Sequence, residues 1–144
     1  MNKPDLFKLQ ELVCPHVFEK YSETAWSFFD PRLLETIDFI RYRLNKPIII
    51  NNWNQNGKFN QRGLRCTKCE ILKTAVLNDT LYASPHIMGQ AVDFDLLGFT
   101  AQEVREVLIS DAAALPYPIR LEAEVSWVHL DVRATDYKVY LFKP

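Results

Sequence analysis

Two stretches of strict two-residue alternation constrain this chain more than any other feature. In AVDFDLL, residues 91–97, Val92, Phe94 and Leu96 fall on one side and Ala91, Asp93 and Asp95 on the other. In WVHLDVR, residues 127–133, Val128, Leu130 and Val132 oppose Trp127, His129, Asp131 and Arg133. Successive side chains of a strand point to opposite faces. Each stretch therefore reads as a strand with one apolar face for a core and one ionisable face that is expected to meet water. The ionisable face of the second stretch carries a His, an Asp and a Trp together, which is more than solvation requires.

Around these strands the pattern is mixed. Residues 5–13 read as a short amphipathic helix. In DPRLLETIDFIRYRLN, residues 30–45, Asp30 suits an N-cap and Pro31 the first helical position. Leu33, Leu34, Ile37, Ile40, Arg41 and Leu44 then recur at helical spacing. PIIINNW, residues 47–53, is a short strand, and NQNGKFNQRG after it is a polar loop. Thr67 and Glu70 predict a capping box for a helix through TKCEILKTAVL, and Thr100 and Glu103 predict another ahead of Val104, Val107 and Leu108. Pro116 and Pro118 end that segment. IRLEAE, residues 119–124, and WVHLDVR read as a tight hairpin, and YKVYLF as a last strand. Helices early and antiparallel strands late predict an α+β fold. With 144 residues, no internal repeat and no linker, the chain reads as a single domain over 1–144.

Composition narrows the function classes. A net charge of −1 gives no electrostatic case for nucleic acid or an anionic membrane as partner. The N-terminal MNKPDLFKLQELVCPHVFEKY has no uninterrupted apolar run, so neither a signal peptide nor a membrane span is expected there. Cytoplasmic synthesis without a leader follows as the expectation. The odd count of three cysteines, Cys14, Cys66 and Cys69, fits reduced thiols. CTKC, residues 66–69, has the spacing of a zinc knuckle or a redox pair. There is no second CxxC, and Cys14 with His16 would make an unusual other half, so Cys66 and Cys69 are read as belonging to a helix start. His16 is read as structural or surface.

The remaining two histidines each sit near aspartates. His86 and Asp93 flank Gly89 in SPHIMGQAVDFD, residues 84–95. A glycine turn leading into a strand would let both face one point, and His129 would complete two imidazoles and a carboxylate. That set suits a hydrolytic zinc ion, which takes three protein ligands and keeps one position open. From the residues alone the alternative also stands: His86 as a hydrogen-bonded structural histidine and Asp93 as a surface carboxylate.

Ser84, His86, Gly89, Ala91 and Asp93 match the pattern SxHxxGxAxD, and Trp127, His129 and Asp131 match WxHxD. Together these motifs resemble the zinc D-Ala-D-Ala peptidase family of carboxypeptidases, dipeptidases and phage endolysins, whose core also occurs in the Hedgehog signalling domain. The resemblance implies a central antiparallel sheet flanked by helices, and Zn2+ held by His86, Asp93 and His129. It implies a glutamate base, a substrate-binding arginine upstream of the first motif, and Ser84 in or just behind the metal shell.

The family often carries Glu three residues before the last zinc histidine; here that residue is Ser126. Glu122 is the candidate base and Glu124 the reserve. A tight hairpin would pair Glu122 with Trp127, which puts Glu122 on the His129 side, with Glu124 in the turn. Within QRGLR, Arg65 is the candidate for gripping substrate carbonyl or carboxylate and Arg62 the reserve, since a guanidinium binds a carboxylate bidentately. Asp131, on the His129 face, is a candidate hydrogen-bond partner of a ligand imidazole or else a solvated residue, Asp95 is given no role, and Trp127 is a wall of the cleft or a core residue.

The resemblance implies hydrolysis of peptide bonds in bacterial peptidoglycan stem peptides, and a monomer is the expectation for the chain. Carboxypeptidase and endopeptidase are both compatible. A small leaderless chain fits an endolysin or virion peptidase of a phage, reaching the wall after release. A non-catalytic zinc module like the Hedgehog domain is the alternative.

Overall fold

The computed structural model describes residues 3–144. At its centre is a five-stranded sheet of β1 (Ile48–Ile49), β2 (Ala91–Leu96), β3 (Ile119–Glu122), β4 (Val128–Asp131) and β5 (Val139–Phe142), in the order β1-β2-β4-β3-β5. The helices are α1 (Leu9–Leu12), α2 (Pro15–Tyr21), α3 (Pro31–Leu44), α4 (Lys73–Leu77) and α5 (Ala101–Ser110). The coarse α+β class is as expected.

The sheet is mixed rather than antiparallel. β1/β2, β2/β4 and β3/β4 are antiparallel, but β5 runs parallel to β3. Both edges of β4 are already paired, with β2 and with β3. The last strand adds to the outer edge of β3, and β1 remains the other edge strand. The connection 132–138 crosses the end of the hairpin and enters alongside Ile119, so Ile119↔Val139 opens the pairing.

The apolar face of the sheet, Val92, Phe94, Leu96, Ile119, Leu121, Val128 and Leu130, is buried in one cluster with Leu33, Leu34, Ile37 and Ile40 of α3 and Val104 and Leu108 of α5. Both helices begin as their sequences predict. Asp30 accepts the Arg32 amide at 3.0 Å with Pro31 next. Thr100 and Glu103 form the reciprocal capping box.

The ionisable face departs from expectation. Its central part is out of water: Ala91, Asp93, His129 and Asp131 are buried, while Asp95 and Arg133 are half-buried and Trp127 is exposed. The segment 61–65 runs along the edge of β2, with the Asp93 amide donating to the Arg62 carbonyl at 2.7 Å and the Arg65 amide to the His86 carbonyl at 3.3 Å, and from there the Arg65 side chain reaches Asp93.

Two N-terminal expectations also change. The helix predicted over 5–13 is one turn, Leu9–Leu12, because Val13 turns extended and bridges Leu64. The capping box at Thr67 and Glu70 does not form: Cys69 occupies the N-cap of a 3-10 turn over Glu70–Leu72 that leads into α4. The cap comes from afar instead, as Gln61 Oε1 accepts the Ile71 amide at 2.8 Å. Cys66 and Cys69 thus lie in the turn before the helix, beside Cys14 and His16 at the start of α2. Among the described residues no helix is long and apolar enough to cross a membrane.

Candidate metal centre

β2 and β4 pair so that Asp93 lies opposite His129 and Ala91 opposite Asp131. This register sets the carboxylate and the imidazole side by side on the covered face. His86 arrives from the turn before β2. Gly89 makes that turn possible twice over. Its φ of +66° is in the left-handed region, and a Cβ there would collide with the backbone carbonyl of Phe28. The Asp30 amide donates to the Gly89 carbonyl at 3.0 Å, which ties the turn to the start of α3.

His86, Asp93 and His129 offer ligand atoms that all lie within 4.8 Å of one another. The histidine nitrogens aimed at Asp93 are Nε2 of His86, at 3.2 Å from one carboxylate oxygen, and Nδ1 of His129, at 2.8 Å from the other. The far nitrogens are held from behind. His86 Nδ1 donates to the Gly63 carbonyl at 2.9 Å, and His129 Nε2 lies 3.2 Å from Asp131 Oδ2. A carbonyl only accepts, so the proton of neutral His86 sits on Nδ1 and its Nε2 lone pair faces the Asp93 carboxylate. Two acceptors at that distance are relieved by a shared cation, which a proton on His86 or a metal ion supplies. An orienting partner on the outer nitrogen of each imidazole is the arrangement metal-ligating histidines use. The donor set therefore fits a metal ion.

The electrostatics agree with the geometry. Burial pushes the His86 pKa below its usual value, against the opposing pull of Asp93. Burial would also lower His129, but hydrogen bonds and charge from Asp131 and Asp93 outweigh it and raise that imidazole to about 9. Asp93 is buried too, which by itself would raise it, yet its bonds to His129 and His86 hold it well below the carboxylate range. Asp131, fully buried, is likewise held low by His129 and the Arg120 charge despite its burial.

The other candidate residues fall at various distances from this point. Arg65 Nη2 contacts Asp93 at 3.0 Å, while its Nε donates to the Gln61 carbonyl and Nη1 to the Tyr82 hydroxyl. Its guanidinium thus supports the carboxylate of the candidate centre. Arg62 instead pairs with Asp95 at 2.8 Å and stacks on Phe59. Ser84 Oγ accepts the His86 amide at 3.2 Å, bracing the turn. Trp127 lies just outside β4 and is exposed.

The hairpin register differs from the tight one expected. Arg120↔Asp131 and Leu121↔Leu130 carry Glu122 toward His129 rather than Trp127. The shift is two residues, so Glu122 keeps the same side of the sheet. The loop is longer than expected, and within it Glu124 adopts a left-handed φ of 63°. Glu124 is exposed and pairs with Lys143 at 3.3 Å. Arg105, buried on α5, holds this loop by donating to the carbonyls of Glu122, Val125 and Trp127 at 3.4, 3.1 and 3.2 Å. Nothing in the sequence pattern marks Arg105, which sits beside the apolar positions of its helix. Arg120, stacked on Phe142 with Nε 3.4 Å from Asp131, is a second cation that sequence reasoning passed over.

Comparison with protein-family models, curated proteins and solved structures finds no match to this chain.

Proposed function

We propose that this chain is a zinc-dependent peptidase acting on peptidoglycan stem peptides, as a carboxypeptidase or endopeptidase. One observation carries the reading. His86 Nε2, His129 Nδ1 and the Asp93 carboxylate converge, and both outer imidazole nitrogens are anchored, by Gly63 and Asp131. The motif resemblance to zinc DD-peptidases, spread over the same residues, supports it.

A zinc ion held by these three side chains would supply Lewis acidity, polarising the scissile carbonyl and acidifying water. Glu122, on the His129 side of the sheet, takes the proton from the attacking water and returns it to the leaving amine. Arg65 fixes the Asp93 carboxylate and brings positive charge toward the substrate carbonyl. Arg105 keeps the strand end that carries Glu122 in place.

A non-catalytic zinc module is the second reading, favoured by Ser126 at the position where the resembling family often has glutamate. Clearance of bacterial cell-wall suspensions, with and without chelator, separates the two. The peptidase clears walls only with metal, and mass analysis of the products identifies the bond. Glu122→Ala is expected to keep its zinc and lose about 10²–10⁴-fold in rate. Full activity in that variant assigns the base elsewhere, and no clearance by the zinc-loaded chain favours the binding module.

A further inference from the structure

We propose that Cys14, His16, Cys66 and Cys69 form a second, structural zinc centre. These residues come from two segments, the start of α2 and the turn before α4, and their ligand atoms all lie within 4.8 Å of one another. Cys14 Sγ is 3.7 Å from Cys66 Sγ, and Cys66 Sγ is 3.6 Å from His16 Nδ1. A tetrahedral zinc with ordinary Zn–S and Zn–N bonds has S···S edges of about 3.8 Å and S···N edges of about 3.6 Å. Both recorded edges match a closed tetrahedron.

Without a metal, the contact with Cys69 and burial push the Cys14 thiol up, burial pushes Cys66 up, and the contact with Cys14 lowers Cys69. A bound metal displaces those protons, and backbone amides already point at the sulfurs. The Cys66 amide faces Cys69 Sγ at 3.4 Å, the Lys68 amide faces Cys66, and the Val17 amide faces Cys14. Each sulfur thus has a backbone donor, as a negatively charged sulfur requires. Cys14 and Cys69 are buried, Cys66 is half-buried and His16 is exposed, so the centre lies at the edge of the core. Three soft sulfurs and one imidazole select zinc among the common divalent ions by ligand type and geometry. All four positions come from the protein, leaving none open for substrate, so the role is structural.

The position gives that role a purpose. The Leu64 amide donates to the Leu12 carbonyl at 2.8 Å and the Cys14 amide to the Leu64 carbonyl at 3.2 Å, forming the seam between the two segments. Gly63, which anchors His86, and Arg65, which contacts Asp93, flank that seam. A metal at its end clamps the segment on which the other centre rests.

The test uses the full chain, purified reduced and loaded with zinc or cobalt ions. Two zinc ions per chain are expected, falling to one in Cys66→Ser and to one in His86→Ala. The cobalt-loaded wild type is expected to show near-ultraviolet thiolate-to-metal charge transfer. The band should persist in His86→Ala and vanish in Cys66→Ser. Should Cys66→Ser misfold, the wild-type spectrum decides, and His16→Cys is expected to retain the metal with a stronger band. A zinc content unchanged by Cys66→Ser, no charge-transfer band in the cobalt-loaded wild type, or a Cys14–Cys66 disulfide in freshly purified protein would overturn the proposal. None of these residues belongs to the His86 centre, so either centre can fail without the other.

Discussion

His129 is the residue on which the chemistry of the candidate centre turns. Its imidazole lies between Asp93 and Asp131, which together raise its pKa to about 9 although burial opposes them. A metal must displace the proton on Nδ1. Zinc affinity is therefore expected to rise about tenfold per pH unit from neutrality and to level off above about 9. For the metal-free fold the sign is opposite. The raised pKa stabilises the protein fully below the usual value of 6.5, and that stabilisation is lost as the pH rises through about 9. In Asp131→Asn the levelling-off should move to lower pH, and affinity at high pH should fall about 10–100-fold because the imidazole is less well oriented. Competition titrations with a zinc indicator across this range check both; a pH-independent affinity would contradict the assigned geometry.

At the scale of elements, the hairpin of β3 and β4 depends on α5. Arg105 is buried, and its guanidinium serves the carbonyl of Glu122 and those of Val125 and Trp127 in the loop that follows it. Hydrogen bonds to charged groups contribute about 1.5–3 kcal/mol each, and carbonyls stripped of their donor inside a fold cost a comparable amount. Arg105→Ala is expected to destabilise the chain by about 3 kcal/mol or more. Metal binding at His86, Asp93 and His129 should persist, since none of them touches Arg105, while peptidase activity falls with the displaced Glu122. Denaturant melts together with zinc stoichiometry test this, and loss of metal with the arginine would show that the loop supports the ligands directly.

Across the whole molecule, the covered face of the sheet concentrates Asp93, His129 and Asp131 in the interior. Buried charges need partners, and bound metal adds one. A ligand at a hundred times its dissociation constant stabilises by ~2.7 kcal/mol, which for a domain of this size raises the melting temperature by about 5–10 °C. Chelation is expected to lower it by at least that much. The His86→Ala variant should still respond to chelator through the cysteine centre. A melting temperature indifferent to chelator in both proteins would argue against resident metal at either place.

Much of this was legible beforehand because it is local. The caps of α3 and α5, the alternation of β2 and β4, and the left-handed turn at Gly89 are decided by residues within a few positions of one another. The alternation also places Asp93 and His129 on one face once their strands pair. What the chain alone left open depended on contacts distant in sequence. Whether the ionisable face meets water was decided by segment 61–65 beside β2 and by the turn before it, which bring Arg65 and His86 onto Asp93. The parallel β5 followed from the 132–138 connection entering beside Ile119, and the hairpin loop, gripped by Arg105, is longer than the tight turn expected. The pairing of Cys66 and Cys69 with Cys14 and His16 was decided by the seam between Leu12 and Leu64. Spacing rules compare residues along the chain, whereas these ligands meet across 50 or more positions, where only packing brings them together.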